Sequence, residues 1–193
     1  MSKTLYVDIH GTLAKFYENA KCIERMHTAG FYENLLPYEA MVAALKMLIS
    51  VSSHLDLQIA ILSAVDSEQE RAENARWIAK WVNPEIPVLF SDYADGKAAY
   101  LANNDRTIGP DDYLLDDYSY NLVDWASHGG TAIKFFNELN GRGWNGHHFA
   151  GPGVDGVFWS PRKIASTLLR LMGYEENLDD LLRLVDSNEK KEG

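Results

Sequence analysis

Five short runs limit what this chain can fold into: Thr4–Val7, Leu57–Leu62, Pro87–Phe90, Tyr113–Leu115 and Thr131–Phe135 are apolar with little alternation. A strand that reads this way is covered on both faces, which is the situation of strands in a parallel sheet flanked by helices. Helical patterns lie between the runs. Met41, Val42, Leu45, Leu48 and Ile49 share one face over Glu39–Ser50, and Trp77, Ile78, Trp81 and Val82 do so over Glu68–Val82, with Pro84 as a stop. Strands alternating with helices predict a three-layer α/β domain on a parallel sheet. With 193 residues, 46% of them hydrophobic and 24% charged, the chain is long and apolar enough for one such domain, expected over residues 1–186.

Two stretches interrupt the rhythm. Residues 14–37 mix aromatic and polar side chains around Gly30 and Pro37, and are expected to form a small cap inserted after the first strand. Residues 140–153, "NGRGWNGHHFAGPG", read as a loop rich in glycine and asparagine. Beyond it, Ser160 caps a helix with Pro161 at its first position and Gly173 past its end. A last helix is expected over about Leu178–Val185, then a disordered tail at 187–193.

The formal net charge of −10 disfavours nucleic acid polymers and anionic membrane surfaces. Cys22 is the single cysteine, so no intrachain disulfide forms; a lone cysteine is more often inert than nucleophilic. The opening "MSKTLYVD" enters the first strand without a secretory pattern, and no apolar run approaches the ~20 residues of a membrane span. A cytoplasmic protein is expected, its oligomeric state open, a dimer included.

In a parallel α/β sheet, ligands bind beyond the carboxyl ends of the strands. The first strand delivers Asp8 there in "YVDIHGTLAKF"; the second ends in Ser63; the fourth ends in Asp116 and Asp117; Lys97 precedes that fourth strand in "DGKAAY". A carboxylate, a hydroxyl, an ammonium and an acidic pair suit phosphoryl transfer. The carboxylate attacks phosphorus, a divalent cation neutralises the phosphoryl oxygens, and serine and lysine bind the rest. Gly11 and Thr12 follow Asp8 and are candidates for the phosphate-binding turn, though D-x-x-G-T is also an ordinary turn.

The order strand-Asp, strand-Ser, Lys, strand-Asp-Asp resembles the haloacid dehalogenase-like (HAD) superfamily. Within it, "AGFYENLLPYEAMVAAL", "QIAILSAV", "ENARWIAKWV" and "YLLDDYSYNLVDW" resemble the 5'(3')-deoxyribonucleotidases and their bacterial relatives, over residues 4–136. The resemblance implies a magnesium-dependent phosphomonoesterase acting through an aspartyl phosphate, with a Rossmann-like HAD core and a small cap. It implies Asp8 as nucleophile, Mg²⁺ held by Asp8, Asp116 and the backbone carbonyl of His10, and phosphate held by Ser63 and Lys97. It implies Phe31 or Tyr32 in the cap facing the base of a nucleoside monophosphate, the first candidate for the small phosphorylated substrate; plain packing explains that stretch as well. Asp117 and Asn121 are supporting candidates, Asn121 either orienting Asp117 or capping the next helix.

His10 departs from the pattern, which has a second aspartate as acid and base. Imidazole suits activation of water better than protonation of a leaving alcohol. Three outcomes stand open: an active phosphatase with His10 as base, a slow enzyme that accumulates phosphoaspartate, or a phosphate-binding protein without turnover. A phosphatase for another small ester is a further alternative. His147 and His148, adjacent in a loop, are poor candidates for one metal, and Trp125 and Trp144 read as packing residues.

Overall fold

The structure, a computed structural model, describes residues 2–16, 23–137, 144–150 and 159–192. Cys22 and residues 17–22 of the expected cap lie outside them. Six strands form one sheet: β1 (Lys3–Val7), β2 (Leu57–Val65), β3 (Val88–Asp92), β4 (Asp112–Asp116), β5 (Thr131–Phe136) and β6 (His147–Ala150). Their spatial order is β3-β2-β1-β4-β5-β6 and every pairing is parallel. The helices are α1 (Glu39–Val51), α2 (Glu68–Trp81), α3 (Lys97–Asn103), α4 (Ser119–Ser127), α5 (Pro161–Leu171) and α6 (Leu178–Glu192).

The uninterrupted apolar runs have the reason anticipated for them. Alternate residues of the central strands enter two separate cores. Leu5, Val7, Ile59, Ile61, Leu115 and Ile133 pack on one face with side chains of α1, α2, α5 and α6. Tyr6, Ala60, Leu62, Leu114 and Ala132 pack on the other with Ala98 and Leu101 of α3 and Leu122 and Trp125 of α4. The result is a three-layer, Rossmann-like α/β fold. Trp125 is fully buried and its indole donates to the Asp112 carbonyl at 3.1 Å. Among the described residues no helix is long and apolar enough to cross a membrane.

Two stretches differ from the sequence reading. Part of the glycine-rich loop is a strand: Ile133–Phe136 of β5 pair with His147–Ala150. Phe149 carries that strand into the core, a signal outweighed by the surrounding glycines and asparagines. Helix α6 continues to Glu192, past the last apolar position at Val185. The added residues include Glu and Lys, good helix formers that need no buried face to stay helical.

Helix α2 holds the segment after β1 in place. Ser67 caps it by accepting from Glu70 N at 3.1 Å, and Glu70 Oε2 reaches back to Asp66 N at 2.8 Å, a variant of the capping box. One turn on, the buried Glu73 carboxylate accepts from Gly30 N at 2.7 Å and Tyr32 N at 2.9 Å, while Trp77 Nε1 donates to Leu35 O at 2.8 Å. Backbone groups of 30–35 that lack helix or strand partners thus find them on α2.

Candidate active site

The strand order runs outward in opposite directions from β1 and β4, so the switch point of the sheet lies between them. Val7 pairs with both Leu115 and Ile61, which brings Asp8, Asp116 and Ser63 to the same carboxyl edge. Asp8 N donates to Leu115 O at 3.0 Å, continuing the ladder one residue past the strand. Lys97 enters from the first turn of α3, after Gly96 at φ +78°.

These side chains touch. Lys97 Nζ donates to Asp8 Oδ1 at 2.6 Å and to Asp116 Oδ2 at 2.5 Å, and Ser63 Oγ donates to Asp8 Oδ1 at 3.2 Å. Asp116 is fixed further by Tyr118 N on Oδ1 at 2.7 Å and by Asn121 Nδ2 on Oδ2 at 2.9 Å. Asn121 therefore orients Asp116 rather than Asp117. Among the described residues no hydrogen bond reaches Asp8 Oδ2, which leaves that oxygen to an electrophile. One ligand atom each from Asp8, Asp116 and Asp117 lies within 4.8 Å of the others, all three residues buried. A buried acidic cluster of this kind fits a divalent cation, a hard ion that takes carboxylate oxygens.

Burial lifts the Asp8 carboxyl to about 6, partly offset by Lys97. Burial also pulls on the Lys97 ammonium, but Asp116 and Asp8 outweigh it and keep the lysine firmly charged. The pair of contacts is thus an ionic bridge in a dry setting, where its members depend on each other.

Gly11 sits in the turn after Asp8 at φ +83°, its N–H bonded to Ala14 O at 2.8 Å and its carbonyl accepting from Asn137 Nδ2 at 2.9 Å. A Cβ there would run into the Asp117 carboxylate, meeting Cγ at 2.6 Å. Gly11→Ala is expected to lose about 1–3 kcal/mol of stability from the positive φ and to displace Asp117. Thermal melting of the variant, with and without Mg²⁺, checks both effects. Thr12 is fully buried, and among the described residues its hydroxyl has no hydrogen-bond partner. The structure brings neither Gly11 nor Thr12 into the cavity wall.

His10 does line the cavity, its ring packed against those of Phe16 and Tyr32 in a cluster of three, at centroid distances of 5.0 and 5.1 Å. Its Nε2 lies 3.0 Å from Asn74 Oδ1, and its Nδ1 is 3.8 Å from Glu70 Oε1. With Asn74 Oδ1 accepting, Nε2 carries the proton and Nδ1 the lone pair. Burial pushes the imidazole down to about 4, against the opposing bond from Asn74, so the ring is neutral at neutral pH.

The cavity encloses about 420 Å³ over Asp8, Ser63, Asp116 and Asp117. From the segment after β1 it takes Phe16 and Met26 as walls; Phe31 and Tyr32 stand behind Phe16, packed ring to ring with it. His147 and His148 are exposed on β6, with His148 Nδ1 on Gly146 O at 2.8 Å, and belong to no acidic or histidine cluster found among the described residues. The partly buried Trp144 donates to His147 O at 3.1 Å.

Sequence reasoning missed the supports. Lys134, buried in β5, donates to Asp117 O at 2.7 Å and Ser119 Oγ at 2.6 Å. Asn137 Nδ2 donates to Asp117 Oδ2 at 2.9 Å. A lysine inside the apolar run "TAIKFF" was a visible signal, because a charge there needs a partner at the strand end. Asn74 and Glu70 gave no such signal, since polar residues are ordinary on a helix that also has a solvent face.

No protein-family model matches the chain, and no curated protein matches it in sequence. Solved structures do. A D,D-heptose 1,7-bisphosphate phosphatase from Burkholderia thailandensis superposes with a TM-score of 0.52 at 12% identity, over 86% of this chain and 98% of that one. A HAD-superfamily hydrolase from Ehrlichia chaffeensis gives 0.52 at 13% identity, over 90% and 100%. A hypothetical protein from Xanthomonas campestris gives 0.50 at 14% identity, over 94% and 87%. The parallel sheet and its strand order thus give this chain a fold similar to those of a heptose bisphosphate phosphatase and a HAD-superfamily hydrolase.

Proposed function

We propose that this protein is a magnesium-dependent phosphomonoesterase that works through an aspartyl phosphate on Asp8. The observation that carries the reading is the bridge of Lys97 between Asp8 and Asp116, which leaves Asp8 Oδ2 as the unengaged oxygen of a buried carboxylate. Asp8, Asp116 and the backbone carbonyl of His10 would hold the metal, whose charge offsets that of the phosphoryl oxygens. Asp8 Oδ2 attacks phosphorus, and the bond from phosphorus to the leaving alkoxide breaks as the alkoxide takes a proton from solvent water. Water then attacks the phosphorus, losing its proton to His10 Nδ1, and inorganic phosphate leaves with Asp8 restored. Ser63 and Lys97 hold the phosphoryl oxygens, and Asp117 and Asn121 keep the acidic edge in register.

A nucleoside monophosphate is the first substrate to try. The aromatic wall of Phe16, Tyr93, Tyr118 and Tyr120 suits a planar base, and the sequence resembles nucleotidases. Phosphate release from nucleoside monophosphates, sugar phosphates and an aryl phosphate, with and without Mg²⁺, tests the reading. Magnesium-dependent release is expected; a chain inert on all of them with Mg²⁺ present overturns it.

A second reading rests on one observation: His10 is neutral and its Nε2 proton is held by Asn74, so it has no proton to give to a leaving alcohol. Formation of the aspartyl phosphate is then slow for alkyl esters and faster for aryl esters. His10→Ala is expected to slow the water step by about 10²–10⁴. Mass spectrometry of protein quenched during aryl phosphate turnover should then find phosphate on Asp8 accumulating in the variant and not in wild type. Unchanged turnover in His10→Ala removes His10 from the mechanism.

A further inference from the structure

We propose that the alcohol released by this site carries a positive charge, so that the substrate is the phosphomonoester of an alkylammonium alcohol in place of a nucleoside monophosphate; this rests on the phosphomonoesterase reading and replaces only its first choice of substrate. The first argument is charge. Behind the floor of the cavity, Lys97 and Lys134, together with the divalent cation of the proposed mechanism, would fall one charge short of balancing three carboxylates and a phosphate dianion. Among the described residues nothing positive is left over for the mouth. Yet the mouth adds Asp66 and Asp95, both exposed, the half-buried Asp124 and the buried Glu70, and no lysine or arginine lines the cavity among the described residues. A neutral leaving group would leave this field uncompensated beside a phosphate that it repels.

The second argument is aromatic and independent of the first. Tyr93, Tyr118 and Tyr120 line the same mouth and are 63%, 52% and 74% exposed, large rings that no described residue covers. The rings of Tyr118 and Tyr120 stand 6.3 Å apart, inclined at 36°. Tilted phenol faces flanked by carboxylates form the environment that recognises an ammonium group, the rings by their quadrupole and the acids by their charge. A cavity of about 420 Å³ holds a phosphoryl group with a short cationic alcohol.

The decisive comparison uses two esters of one shape. Phosphocholine and 3,3-dimethylbutyl phosphate differ in a quaternary nitrogen against a quaternary carbon. With Mg²⁺, the intact protein is expected to show kcat/KM for phosphocholine about tenfold or more above that for the neutral ester. That ratio should fall with added NaCl and should approach one in Asp66→Asn/Asp95→Asn and in Tyr118→Leu/Tyr120→Leu. Product binding supplies a readout free of turnover: by calorimetry, choline should bind and 3,3-dimethylbutanol should not. If an aryl phosphate is hydrolysed while the two esters are equal, or the neutral one is better, the ammonium inference falls and the phosphatase reading stands. If no phosphate is hydrolysed but choline binds selectively, the phosphatase reading falls and the cation site stands. No hydrolysis and no choline binding overturns both.

Discussion

Asp8→Asn is expected to remove phosphatase turnover by at least about 10⁴-fold while leaving the fold intact. The magnitude follows from losing the nucleophile outright, because an amide oxygen does not form the acyl phosphate. The intact fold follows from geometry. Asparagine matches the shape of aspartate, its amide oxygen can still accept from Lys97 and Ser63, and Lys97 keeps Asp116 as an ionic partner at 2.5 Å. A steady-state assay on an aryl phosphate reads the first effect and a thermal melt reads the second. Residual turnover within about tenfold of wild type would mean that Asp8 is not the nucleophile. The same carboxyl sets a pH limb. Attack needs the ionised form, and burial holds Asp8 up near 6 without a metal, so kcat/KM should fall as pH drops below that value. A bound cation favours the carboxylate, so raising Mg²⁺ should carry the limb to lower pH. A limb that ignores magnesium would place the titrating group away from the metal ligands.

Much of this site was legible in the sequence because its chemistry is attached to strand ends. An apolar run that stops at a carboxylate places that carboxylate at the sheet edge, and the parallel order follows from two-sided burial; Asp8, Ser63 and Asp116 needed no more than that. Lys97 was legible as a lysine in the right order, although α3 itself, seven residues long, was not. What escaped were contacts between distant segments. Nothing in "RAENARW" says that Asn74 meets His10, 64 residues earlier, or that Glu73 collects the amides of Gly30 and Tyr32. The choice of Phe31 and Tyr32 for the cavity wall met the same obstacle: aromatic residues in an irregular segment give no period from which to read a direction. The structure turns Phe16 and Met26 inward instead. Residue β6 strand signals were masked by the glycines on either side of "HHFA", and only the pairing with β5 reveals it.

Replacing Lys97 exposes how far the acidic edge depends on it. Lys97→Met keeps most of the side-chain volume and removes the charge, leaving Asp8 and Asp116 buried beside each other with Asp117 close by. Breaking one side of a buried ion pair typically costs about 3–5 kcal/mol, because the surviving charges stay desolvated. Stability in the absence of metal is therefore expected to drop by that order at neutral pH, measured by chemical denaturation. The pH dependence has a definite sign. Without the ammonium, the carboxyls bind protons more readily in the folded state than in the unfolded one, so the variant should regain stability as pH falls from 7 toward 5, where protonation relieves their repulsion. Magnesium offers the other relief. A divalent cation on Asp8 and Asp116 replaces the lost charge, so Mg²⁺ should raise the melting temperature of Lys97→Met by more than that of wild type, where the ammonium already sits between the two carboxylates at 2.6 and 2.5 Å. Activity should stay low even with Mg²⁺ saturating, since the proposed mechanism also has the ammonium facing the phosphoryl oxygens in the transition state. Equal magnesium shifts in the two proteins would mean that the cation binds away from the Lys97 bridge, and the assignment of Asp8 and Asp116 as its ligands would be withdrawn.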